Sequence, residues 1–126
     1  IMGFDISGLA STDVDGEYFR NNVWWWRPLA TVIEEVCSDL LTEEQKKGLH
    51  YNSGVKYSNE TAIKIAERLE EEIKTEWKIK ATAKQIQDNY SFKSSDGKQK
   101  FEYSFSIANV KNFINFAKKS GGFEIW

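Results

Sequence analysis

Leu29, Val32, Ile33, Val36, Cys37 and Leu40 recur at helical spacing, with Glu34, Glu35, Ser38 and Asp39 between them. That rhythm lays one apolar stripe along a helix of 3.6 residues per turn and predicts a helix opening at Pro28. Proline suits a first turn, where its missing N–H is no loss. Thr42-Glu43-Glu44-Gln45 has the form of a capping box, so a short helix follows and stops at Gly48. Leu49 to Gly54 then read as a loop. Ser58 is placed to cap a longer helix whose buried stripe is Ala62, Ile65, Ala66, Leu69, Ile73 and Trp77. The pattern fades beyond Trp77, and residues 78–90 fit either a continuation or a second helix after a kink. From Phe92 to Phe105 the pattern becomes a hairpin: Asp96-Gly97 is a tight-turn signal, and Phe101, Tyr103 and Phe105 alternate with polar residues. Ser106 caps a last helix with Ile107, Val110, Phe113, Ile114 and Ala117 inward, ended by Gly121 and Gly122.

The two ends of the chain echo each other. Gly3-Phe4-Asp5-Ile6 and Gly122-Phe123-Glu124-Ile125 both alternate with period two, which predicts two strands of one small sheet. Residues 8–22, with Ser11, Thr12, Asp13, Asp15 and Gly16, read as a loop. The fold class that follows is α+β: a helix-rich single domain spanning 1–126, with a small antiparallel sheet involving both termini and a hairpin near 92–105.

Composition narrows the partners. The formal charge of −2 argues against a broad nucleic-acid footprint, which needs a basic surface. Cys37 is the one cysteine, so no intrachain disulfide forms and a reducing, cytoplasmic home is expected. No apolar run approaches the length of a membrane span, and the first residues lack the pattern of a signal peptide. Met2 reads as the natural start, with Ile1 an added residue.

Catalytic signatures are sparse. Ser11, Asp13, Asp15 and Gly16 superficially match a calcium loop, but the twelfth position is Asn22 rather than the required Glu, so this is a polar turn. One His and one Cys do not furnish a closed transition-metal site, and no cofactor is expected. There is no nucleophile elbow and no phosphate-cradling glycine loop. Asp5 and Glu124 approach each other if the terminal strands pair, and with His50 they define one enzymatic alternative. Cys37 lies on an apolar stripe and reads as a core thiol.

The segment Tyr18, Phe19, Arg20, Asn21, Asn22, Trp24, Trp25, Trp26 and Arg27 is the candidate site. Three consecutive indoles cannot face one way: neighbours point to opposite faces of a strand, and diverge by about 100° on a helix. One core does not easily hold all three, so at least one indole is expected on a second surface. Flat π-faces with Arg and Asn suit a nucleobase and phosphate, and equally a protein–protein hot spot. The plainer alternative puts Trp24 and Trp26 in the core and Trp25 over a sheet edge, with Arg20 and Arg27 paired to Glu17 and Glu34.

The strings Met2-Gly3-Phe4-Asp5, Gly16 to Leu29 and Ser120 to Ile125 resemble a family of small phage, prophage and environmental proteins. Residues 55–105 carry no matching motif. The resemblance implies context only: a small interaction module of phage type, with no activity or site residue transferred. The resulting expectation is a non-catalytic, homo-oligomeric binding module using residues 18–27. The alternatives are a nucleotide or small-molecule sponge, an inhibitor of a host enzyme, and a small enzyme built on His50.

Overall fold

The two echoing ends lie side by side at the centre of one sheet. The computed structural model describes residues 3–74, 92–93, 100–101 and 106–126. In chain order the elements are β1 (Gly3–Gly8), β2 (Tyr18–Asn22), α1 (Val23–Val36), α2 (Glu43–Gly48), β3 (Val55–Ser58), α3 (Asn59–Lys74), β4 (Phe92–Lys93), β5 (Lys100–Phe101), α4 (Ile107–Lys119) and β6 (Gly122–Ile125). The main sheet runs β2-β1-β6-β3 with every neighbour antiparallel, and β4 pairs with β5 antiparallel. The α+β class, the pairing of both ends and the hairpin pairing are as the pattern predicts. Trp77, residues 78–90, the Asp96-Gly97 turn, Tyr103 and Phe105 lie outside the described residues.

Phe4, Ile6, Tyr57, Phe123 and Ile125 are buried on one side of the sheet. They meet Leu29, Val32 and Ile33 of α1, Ile65 and Leu69 of α3, and Val110, Phe113 and Phe116 of α4 in one core. Tyr57 stacks on Phe123 at 4.6 Å, and Phe113 meets Phe123 edge-on at 5.7 Å, both favoured ring geometries. Gly121 and Gly122 turn α4 straight into β6 at φ 70° and 98°, conformations that suit glycine. A Cβ on Gly121 would lie 2.2 Å from the Ala10 carbonyl oxygen, so the turn also needs the missing side chain for space.

Three caps match the sequence signals. Thr42 and Gln45 exchange the two bonds of a capping box at 3.1 Å each. Ser58 Oγ accepts from Thr61 N at 3.2 Å, and Ser106 Oγ from Asn109 N at 3.1 Å. Two expectations are corrected. Residues 18–22 are not loop but the edge strand β2, whose Phe19 packs against the core. The first helix does not open at Pro28 but five residues earlier, where Asn22 Oδ1 accepts from Trp25 N at 3.2 Å. Pro28 therefore sits in the second turn, where it removes one rung of the helical ladder. Burial of Trp26 and the asparagine cap outweigh that loss.

Candidate functional site: the sheet face around Tyr18 and Trp126

The tryptophan triplet forms the first turn of α1, so its rings fan out around a helix. Trp26 is fully buried, stacks on Phe4 at 5.8 Å and donates its indole N–H to the Leu49 carbonyl at 2.7 Å. Trp24 is half-buried, and Trp25 is 37% exposed. One indole fills the core; Trp24 and Trp26 do not both lie inward, because the triplet is helical rather than extended.

The other candidate residues also divide. Phe19 and Asn21 face the helices, and Asn21 exchanges two amide hydrogen bonds with Asn109 of α4 at 3.1 and 2.8 Å. Asn22 is the helix cap, and Arg27 is half-buried on α1. Tyr18 and Arg20 alternate with Phe19 and so point to the opposite face, away from α1, α3 and α4.

Register assembles that face. Tyr18, Ser7, Glu124 and Lys56 lie across the four strands in one row, with Arg20 opposite Asp5 in the next. Trp126 follows beside Asp5, whose carbonyl accepts its N–H at 2.8 Å. The Tyr18 hydroxyl donates to Asp5 Oδ1, and Arg20 Nη1 donates to the same oxygen at 2.7 Å. The Tyr18 hydrogen bond, then the Arg20 hydrogen bond, hold the Asp5 carboxyl below its ordinary range. The same contact raises the Tyr18 phenol, since losing its proton would set two anions together. Trp126 Nε1 donates to Ser7 Oγ at 3.0 Å. Tyr18 is 52% and Trp126 54% exposed, each with its polar tip tied to β1. Glu124 is buried beside them, with Lys56 Nζ at 3.9 Å.

The remaining candidates separate from this face. His50 Nε2 lies 2.7 Å from Glu34 Oε2, whereas Asp5 pairs with Arg20 and Glu124 with Lys56. That pair also corrects the expected partners of the arginines, since Arg20 takes Asp5 and Glu34 takes His50. Asp5 and Glu124 share a face, as the pairing of the ends requires, but each carries its own cation. Asp13 and Asp15 both pair with Lys119, at 3.3 and 3.4 Å, which fastens this polar turn to α4. Burial pushes the Cys37 thiol up to about 12, as suits a core residue rather than a nucleophile.

Ser7, Lys56 and Trp126 were missed as candidates. The signal was the two-residue alternation at both ends, which puts Asp5 with Ser7, and Glu124 with Trp126, on the same side as soon as the ends pair. Set against family models, curated proteins and solved structures, the chain matches none. No described helix is long and apolar enough to cross a membrane.

Proposed function

We propose that this chain is a non-catalytic binding module whose binding surface is the sheet face opposite α1, α3 and α4, around Tyr18, Arg20, Asp5, Ser7 and Trp126. The single observation that carries this reading is the pair of half-exposed rings, each pinned by its polar tip to a β1 side chain. Pinning fixes ring orientation before any partner arrives, which lowers the entropy lost on binding. Of the segment 18–27, Tyr18 and Arg20 serve the surface directly, while Phe19, Asn21, Asn22 and Trp26 hold it in place. The cytoplasmic setting and the phage context suggested by the terminal strings belong to the same proposal.

A second reading, a protein partner such as a host enzyme or another copy of this chain, is favoured by exposed Trp25 at the start of α1. Docking by extension of the sheet is hindered at one carbonyl of each edge strand. Side-chain amides already take edge-strand carbonyls: Asn21 Nδ2 that of Arg20 at 3.1 Å, and Gln45 Nε2 that of Lys56 at 3.4 Å.

Amide chemical-shift mapping with planar probes (indole, tyrosine amide, adenosine) tests the module. Shifts clustered at Ser7, Tyr18, Arg20 and Trp126 are expected. Shifts confined to the helices, or none at all, would sink the reading.

A further inference from the structure

The binding-face reading, on which this inference rests, leaves the ligand class open, and the chemistry of the face narrows it. Exposed Tyr and Trp commonly hold extended or proline-rich peptides by donating from their polar tips to peptide carbonyls. Here both tips are engaged, by Asp5 and by Ser7 Oγ. What the rings still offer is π surface, which takes another flat ring by stacking and needs no hydrogen bond.

Arg20 stands two residues from Tyr18 on the same strand face, about 7 Å along the chain. Its Nη1 is committed to Asp5, while the guanidinium lies over Gly3, where a Cβ would meet Nη2 at 2.5 Å. The side chain is 45% exposed, and a guanidinium has five N–H donors, so donors remain for an anionic oxygen. Both contacts to Asp5 fall on Oδ1, which leaves Oδ2 to accept from a ring amino group or a sugar hydroxyl. Ring faces, a cationic fork and an acceptor thus meet around Asp5.

Charge decides how many phosphates the face accommodates. Among the described residues its two cations, Arg20 and Lys56, each stand beside a carboxylate, Asp5 and Glu124. With no surplus positive charge among the described residues, a polyphosphate strand finds no track there, whereas a single phosphate group needs only the N–H donors that Arg20 does not spend on Asp5. We infer that the face binds a nucleoside monophosphate, its base stacked on Tyr18 or Trp126 and its phosphate on Arg20.

Titration by tryptophan fluorescence and amide shifts tests this with AMP, adenosine, ribose 5-phosphate and a ten-residue oligoadenylate. AMP is expected to quench the tryptophan emission and shift Tyr18, Arg20 and Trp126. Adenosine is expected to bind about tenfold more weakly, and ribose 5-phosphate not measurably, for want of one charge-assisted contact or of stacking. Arg20→Gln should remove the AMP-over-adenosine preference, and Trp126→Leu should cut affinity for both, with melting temperatures reported for each variant. Adenosine binding on the face as tightly as AMP overturns the ligand class but leaves the binding face standing. Oligoadenylate binding far more tightly than AMP overturns it in favour of a strand. No response of the face to any probe, including the uncharged rings, ends both readings.

Discussion

Tyr18 and Asp5 are one hydrogen bond seen from two titrations. Asp5 has a lowered folded pKa, so its contribution is complete above the unfolded carboxyl value near 4 and fades as pH falls through the folded one. Tyr18 has a raised folded pKa, so its contribution is complete below about 10 and fades as pH rises through the folded value. Tyr18→Phe removes the shared bond. The stability difference between wild type and Y18F, from urea unfolding across the pH range, should be level in mid-range and shrink at both extremes. A difference independent of pH would contradict the shared bond. The indoles give a second test at this scale. Trp26→Ala should cost about 3–5 kcal/mol, because it empties a core position and strands the Leu49 carbonyl. Trp25→Ala should cost well under half of that, since the ring is partly in water. Equal losses in chemical denaturation would mean that Trp25 is core as well.

Among the elements, α1 is where local chemistry and tertiary packing pulled apart. Its stripe from Leu29 onward was plain, but the start was not: Pro28 is the stronger textual signal, and Asn22 the one the structure uses. Asn22→Ala should cost about 1 kcal/mol of stability by thermal or urea unfolding, whereas a helix really opening at Pro28 would be indifferent to it. The capping box, the Ser58 and Ser106 caps and the inward stripes of α3 and α4 were all legible, because each is set by residues within a few positions of one another. Strand β2 was not. Tyr18 to Asn22 lack a simple alternation of apolar and polar residues, and only pairing with β1 makes them a strand. The site was half legible for the same reason: the segment 18–27 was singled out by composition, but which of its members face outward depends on that pairing. Ser7, Lys56 and Trp126 join only through the register of strands far apart in the chain.

For the molecule as a whole, the order β2-β1-β6-β3 makes the last strand structurally central. Removing residues 122–126 should abolish cooperative unfolding and near-ultraviolet circular dichroism, because it takes Phe123 and Ile125 out of the core and parts β1 from β3. A truncated chain with a sharp transition would show that the helices alone suffice. The same order bears on how the fold is made. Strands β1 and β2 can zip as the chain emerges, but β3 has nothing to pair with until a segment some seventy residues later slots between them. Such long-range closure slows folding and prolongs exposure of the unfinished interior. On the ribosome, Phe4, Ile6 and Tyr57 would wait in water, or in the grip of a chaperone, until the keystone strand arrives.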